Sequence, residues 1–388
     1  MNKYIAKLSE ISAKPERLIV GLMSGTSLDG LDIALCICGA DGIEVNQFRS
    51  IPYSRELGER LSAIQSRETT KTRELTLLHT DLANYYAEAV TNALTDWTVP
   101  LEEVDLIASH GQTVYHAPSQ INKGINATLQ IVDGDHIAQK TGIITTSDFR
   151  QKHTAAGGEG APLAGIFDEF VFRHETGNRL LINLGGIANL TWLPSKESGK
   201  EVITGDTGPA NTLINEAMQK YFDKPFDEDG KVAASGKIHS ELVRYILLEP
   251  YFRKSFPKTT GQEEFRLKYI EQLMQGHGIE CTEKDLVASL TSLTAQSISR
   301  AVGEITSENF FECYVSGGGF HNNTLMGEIR ERIPKAEFRD FDELGIPADA
   351  KEAVMMAFFA NDLVSGEGFP IPGVTEEKIH FGKISLPG

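Results

Sequence analysis

Residues 18–36, Leu-Ile-Val-Gly-Leu-Met-Ser-Gly-Thr-Ser-Leu-Asp-Gly-Leu-Asp-Ile-Ala-Leu-Cys, constrain the fold more than any other stretch of the chain. Apolar β-formers flank a centre of Gly, Ser, Thr and Asp, which predicts two strands joined by a turn of phosphate size. Gly25 and Gly30 are expected to bend the backbone with positive φ. The amides of Gly25, Thr26 and Ser27 can then turn towards an anion that a bulkier side chain would keep away. An ordinary hairpin with polar turn residues fits the same composition, so the turn alone assigns no ligand.

Length and charge narrow the choices. At 388 residues the chain exceeds one ordinary core, and a prior of roughly 150 residues per domain points to two or three, two lobes being the simplest organisation. A hydrophobic fraction of 40% against 23% charged residues describes a globular chain rather than a disordered one. The net charge of -17 removes the basic face that a nucleic-acid binder needs, but leaves phosphate ligands open, because local amides and a metal hold those. Residues 1–17 lack an apolar signal region, and no later apolar run approaches the about 18 residues of a membrane span. A cytoplasmic protein without membrane association is therefore expected. None of the four cysteines forms a CxxC pair, so Cys36, Cys38, Cys281 and Cys313 read as reduced core fillers.

Along the first half, strands alternate with helices, as in an open α/β domain. Leu75, Leu78, Leu82, Tyr85, Ala89 and Trp97 recur at three- and four-residue steps and predict an amphipathic helix over 73–97. A buried strand over 104–109 ends at His110, and further strands are expected over 127–132 and 143–146. The small-residue run 155–161 before Pro162 marks a seam, with Pro162 suited to the first turn of a helix reaching Phe172. Residues 180–193 repeat the opening design as strand, Gly185-Gly186, strand. A strand over 202–208 leads through Pro209 into a helix over 210–222, and 227–230 reads as a solvated acidic turn. Helices are expected over 283–305, 323–332 and 349–364, the last a buried helix between lobes. The strand 311–315 exits through Gly317-Gly318-Gly319.

Several motifs occur in order: residues 21–32 around Gly25-Thr26-Ser27-Leu28-Asp29-Gly30, then Ser-His110-Gly-Gln-Thr, Ser-Asp148-Phe-Arg150, Gly157-Gly-Glu-Gly-Ala-Pro-Leu, Asn183-Leu-Gly185-Gly186-Ile-Ala-Asn, Gly205-Asp206-Thr-Gly-Pro-Ala-Asn, Ser316-Gly317-Gly318-Gly319 and Asp349-Ala-Lys-Glu-Ala. Together they closely resemble the anhydro-N-acetylmuramic acid kinases, over nearly the whole chain. That resemblance implies an α/β fold of two actin-like, ribonuclease H-like lobes with a central ATP cleft. In that fold the duplicated hairpins face each other across the cleft with the ATP phosphates between them. It places an N-terminal lobe at 1–155, completed by 366–388, and a C-terminal lobe at 156–365. No GxxxxGK[ST] loop and no kinase-type HRD loop is present.

The resemblance also implies roles. Gly25, Thr26, Ser27, Leu28, Asp29, Gly30 and Asp32 belong to the first phosphate turn, Gly185 and Gly186 to the second, and Gly317, Gly318 and Gly319 to the adenine and ribose. Asp206 is the general base, although a carboxylate capping the following helix fits its position as well. The superfamily's usual magnesium-organising Asp is replaced near Met23, which leaves Asp29 or Asp32 for Mg2+, with Asp29 favoured by its place in the turn. His110, Asp148 and Arg150 are expected to touch the sugar, with the Arg150 guanidinium pairing a lactyl carboxylate. His153, Glu159 and Val374-Thr375-Glu376-Glu377 depart from the family pattern. The implied activity is ATP-dependent phosphorylation of an anhydro amino sugar, with water opening its ring, in cell-wall recycling. A homodimer is expected on the same ground. An ordinary sugar or carboxylate kinase, and an ATP-gated interaction protein of the Hsp70 or actin type, are the rivals. The chain shows neither a substrate-binding appendage nor a filament-like insert for the latter.

Overall fold

The computed structural model describes residues 2–40, 42–119, 124–161, 163–261, 264–371 and 373–388. They gather into two compact units, Met1–Phe167 with Gly345–Gly388, and Asp168–Leu344.

In the first unit β1 (Glu16–Ser24), β2 (Gly30–Gly39) and β3 (Gly42–Pro52) form an antiparallel meander. On the other side of β1 lies β4 (Leu106–Ala117), parallel to it, with β5 (Ala127–Ile131) antiparallel along its far half and β6 (Ile144–Ser147) parallel along its near half. The strand Lys383–Ser385 pairs antiparallel with β6. β4 runs eight residues further than the apolar run 104–109 suggests, so His110 sits inside a strand rather than at its end. The helix Thr72–Asp96 buries Leu78, Leu82, Tyr86, Val90 and Ala93 in the same core as Val20, Leu22, Ile33 and Leu35. The spacing of those five residues repeats every three or four, which is why one face carries the packing.

The helix Lys351–Ser365 packs on β1, β2 and β4 of this first unit, which corrects its assignment to the second lobe and moves the return point from 366 to 345. Its apolar girdle has two customers. One side meets the sheet at Gly21, where an added Cβ would lie 1.9 Å from the Ala353 carbonyl oxygen. Around Phe358 and Phe359 gather Phe149, Phe167, Phe369 and Phe381, with ring centroids 5.0–6.4 Å apart. The same cluster holds Phe167 to the first unit, so the seam expected at 155 falls at 167. Pro162 lies outside the described residues. His153 is buried, and its Nδ1 accepts the Gly160 amide at 3.1 Å.

The second unit repeats the plan. β7 (Arg179–Leu184), β8 (Ile187–Leu193) and β9 (Ile203–Pro209) are antiparallel, and β10 (Phe311–Ser316) and β11 (Ala336–Asp340) lie parallel beyond β7 in the order β11-β10-β7-β8-β9. Each unit thus has a three-strand meander with two parallel strands laid in succession beyond its first strand. That shared order makes both of them actin-like α/β lobes. The helix Glu283–Ile305 is buried on most of its circumference, because Ala295, Ile298 and Val302 join the sheet core while Leu286, Leu290 and Leu293 join a second core with Leu213, Ile214, Leu242 and Ile246. The acidic turn 227–230 is not solvated throughout. Asp227 is buried, and its carboxylate accepts the Val232 and Ala233 amides at 2.8 and 2.9 Å.

Candidate active site

In the turn between β1 and β2 three carbonyls are tied to protein donors and the amides are left free. Gln112 Nε2 donates to the Gly25 carbonyl at 3.0 Å, Gln65 Nε2 to the Thr26 carbonyl at 3.0 Å, and the Tyr53 amide to the Asp29 carbonyl at 3.1 Å. Ser24 Oγ donates to Gln112 Oε1 at 2.5 Å and accepts from Tyr53 OH at 2.7 Å, which fixes the entry to the turn. Among the described residues the amides of Gly25, Thr26, Ser27, Leu28 and Asp29 donate to no protein acceptor. A concavity of free N–H groups with its carbonyls tied back is the electrostatic form of an anion site. The backbone reaches this form differently from the sequence reading: neither Gly25 nor Gly30 has positive φ, and Leu28 takes the left-handed conformation at 58°. Gly30 is required by space instead, since a Cβ there would stand 2.4 Å from the Ile51 carbonyl oxygen.

The β7–β8 turn follows the same logic. Asn211 Nδ2 donates to the Leu184 and Gly185 carbonyls at 2.8 Å each, the Asn211 amide to Gly185 at 3.1 Å, and the Ala210 amide and Thr212 hydroxyl to Gly186 at 2.8 and 2.9 Å. The amides of Gly185 and Gly186 again have no protein acceptor among the described residues. After β10, Gly317 has φ 83° and Gly319 packs against Leu184, so protein contacts account for both. Gly318 is exposed, and a Cβ on it would meet nothing within 4 Å.

Asp206 lies within β9, paired with Asn189, and does not cap the next helix, whose N-cap is Ala210. Its half-buried carboxylate accepts the Thr260 amide on Oδ2 at 2.9 Å and, among the described residues, no other protein donor. Burial outweighs that one hydrogen bond and raises its pKa from an ordinary 3.8 to about 6. A carboxylate of that pKa, partly desolvated and with one oxygen unengaged, is equipped to take a proton from water near neutral pH.

His110 and Arg150 come together, and Asp148 does not join them. Arg150 Nε donates to His110 Nε2 at 2.9 Å and Nη1 to the Gly160 carbonyl at 3.0 Å, while His110 Nδ1 meets the Gly111 carbonyl at 2.9 Å. Burial and the adjacent guanidinium push His110 down to about 3, so it stays neutral, with its proton on Nδ1. Among the described residues Arg150 Nη2 has no hydrogen-bond acceptor. Asp148, at φ 59°, forms an ion pair with Lys383 and, among the described residues, no hydrogen bond to His110 or Arg150.

Asp29 is exposed in the turn, and Asp32 on β2 is raised by desolvation and by the charges of Asp29 and Asp349. Glu352, in the motif Asp349-Ala-Lys-Glu, is exposed as a residue while its carboxyl is raised by desolvation, with Lys351 and then Arg150 opposing. No three His, Cys, Asp or Glu side chains converge as a metal-binding group among the described residues. Asp29 and Asp32 are hard oxygen donors suited to a cation that shares its shell with phosphate and water, and do not form a protein cage. Glu352, Gln112 and Asn211 lie inside the quoted motifs without assigned roles, and Thr212 follows directly after one of them. Gln65, Tyr53, Tyr251, Lys258 and Thr260 lay outside them.

Residues 17–381 match the family model for anhydro-N-acetylmuramic acid kinase. A relative from Pseudoalteromonas atlantica bearing that name is 40% identical over the whole of both chains. Another, from Caldanaerobacter subterraneus subsp. tengcongensis, is 36% identical over 98% of this chain and all of its own. A solved structure of (R)-2-hydroxyglutaryl-CoA dehydratase component A from Acidaminococcus fermentans aligns over 90% of this chain and 99% of its own, with 13% identity and a TM-score of 0.42. No described helix is long and apolar enough to cross a membrane.

Proposed function

The chain belongs to the anhydro-N-acetylmuramic acid kinase family, and on that premise we propose that it converts 1,6-anhydro-N-acetylmuramic acid, ATP and water into N-acetylmuramic acid 6-phosphate and ADP. The observation that carries the reading is the pair of turns with tied carbonyls and free amides, one in each unit, accompanied by the Asp206 carboxylate, whose pKa is raised to about 6.

The substrate sets the chemistry. Its sixth oxygen is locked in an internal ether and has no hydroxyl with which to attack phosphate. Asp206 takes a proton from water as that water's oxygen bonds to the anomeric carbon and the ether C–O bond breaks. The released oxygen forms the bond to the γ-phosphorus while ADP departs, so the phosphoryl group fills the part that an acid plays in a glycosidase. The free amides of Gly25–Ser27 and of Gly185-Gly186 bind phosphate oxygens, Gly318 lies against the nucleoside, and Arg150 Nη2 receives the lactyl carboxylate. Asp29 or Asp32 would hold magnesium, which supplies neutralisation of phosphate charge.

Because only the ionised form of Asp206 accepts a proton, kcat/KM should fall about tenfold per pH unit below about 6. A profile flat down to pH 5 would remove Asp206 as the base.

Ring opening gives the decisive test. In heavy-oxygen water the label should enter the anomeric hydroxyl of the product and be absent from the transferred phosphate. The product must be quenched early and compared with unlabelled product held in the same water, since anomeric hydroxyls exchange. Label in inorganic phosphate, with no sugar phosphate formed, would mean that water had hydrolysed ATP, the outcome that an ATP-gated interaction protein requires.

A further inference from the structure

Asp206 is suspended from a stretch without regular secondary structure, residues 258–260. Its amide donates to the Lys258 carbonyl at 2.7 Å, and the Thr260 amide donates to its carboxylate at 2.9 Å. Such a stretch needs an anchor if one amide is to stay on one oxygen. Lys258 supplies it through its own side chain: Nζ donates to the carbonyls of Tyr251 and Lys254 at 3.3 and 3.1 Å, at the end of the short helix Pro250–Arg253, and lies 4.7 Å from the centre of the Tyr251 ring. Tyr251 OH then donates to the Asp206 carbonyl at 2.8 Å. The contacts close a ring that runs from Asp206 to Lys258, to Tyr251 and back.

We propose that Lys258 is a positioning residue for the base, tying residues 258–260 to the helix end so that the Thr260 amide stays on the Asp206 carboxylate. The inference rests on the reading of Asp206 as the base. A hydrogen bond to the ionised form favours that form, and this amide is the one contact that opposes the effect of burial on Asp206. Loosening it therefore moves the acid limb of the pH profile upward. The other groups facing this ring do not reverse the sign. Tyr251 is held neutral by burial and by the charges of Asp206 and Glu264. Thr260 Oγ1 donates to Glu264 at 2.6 Å, and Glu304, Arg300 and Lys254 act on Lys258 itself.

Lys258→Met keeps the aliphatic stem over Tyr251 and removes the donor. The expected result is an acid limb of kcat/KM displaced upward by about half to one pH unit, with activity at pH 8 within about twofold of the parent, and recovery of the parent limb in Lys258→Arg. Lys258→Gln, which retains a donor for one carbonyl, is expected to show a smaller displacement and serves if the methionine variant does not fold. The Asp206 carboxyl carbon, identified in aspartate-labelled protein by its absence in Asp206→Asn, should titrate with the same displacement without any turnover. An unmoved limb and titration, or a loss by one factor at every pH, would overturn the positioning role. Activity of Asp206→Asn within tenfold of the parent would instead overturn the base assignment, leaving the carbon titration to judge Lys258 by itself.

Discussion

Asp206→Asn is expected to lower kcat by about a thousandfold while making the protein more stable at neutral pH. The two effects share one cause. Burial raises the folded-state pKa from 3.8 to about 6, so folding favours the protonated carboxyl and the ionised form is held at a cost. The sign follows: stability from this group is fully present below its unfolded value and is lost as pH rises through about 6. One pKa unit corresponds to about 1.4 kcal/mol, and a shift of about two units, discounted for partial exposure, leaves a gain of about 2 kcal/mol for the neutral amide at pH 7. Asparagine still accepts the Thr260 amide, so the hydrogen bond survives the substitution. Thermal unfolding of parent and variant at pH 5 and pH 8 checks this, the difference being largest at pH 8. Equal stability at both pH values would show that the carboxylate is not strained by burial, and turnover within tenfold of the parent would put the base elsewhere.

The strands and long helices were legible because they depend on nearest neighbours in sequence: apolar alternation or runs for β1, β2, β7 and β8, and three- to four-residue steps for Thr72–Asp96 and Glu283–Ile305. The anchors of the site were not, because they arrive from far away. Gln112 reaches Gly25 across 87 positions, Gln65 reaches Thr26 across 39, and Thr260 reaches Asp206 across 54. No local pattern records such pairings. The assignment of Lys351–Ser365 to the wrong lobe has a similar origin, since an all-round apolar helix declares that it is covered but not by which sheet. Glycine was the most ambiguous letter. The turn's positive φ belongs to Leu28, whereas Gly21 and Gly30 are glycine because neighbouring backbone stands where a Cβ would be. A sequence gives the same symbol for conformational freedom, for close packing and for ligand approach, and only the surroundings separate them.

Gly317, Gly318 and Gly319 provide the case where that separation predicts function. At Gly317 a side chain would occupy a left-handed backbone at φ 83° and place its Cβ 2.4 Å from Asn183 Oδ1 and 2.8 Å from the Leu184 carbonyl carbon. At Gly319 the Cβ would stand 2.7 Å from that of Leu184. Both positions are explained by protein alone, and Gly317→Val is expected to destabilise the unit by several kcal/mol, on the order of 3 or more. Gly318 has no such neighbour, so Gly318→Val should fold with an unfolding temperature close to the parent's. If the nucleoside lies against this backbone, the new side chain fills its place, and ATP affinity should drop roughly ten- to a hundredfold, about 1.4–2.8 kcal/mol, while sugar affinity is retained. Calorimetric titration of each ligand into Gly318→Val separates the possibilities. Unchanged ATP binding in a well-folded variant would place the adenine elsewhere, and parallel loss of both ligands with a lowered unfolding temperature would return Gly318 to the class of its two neighbours.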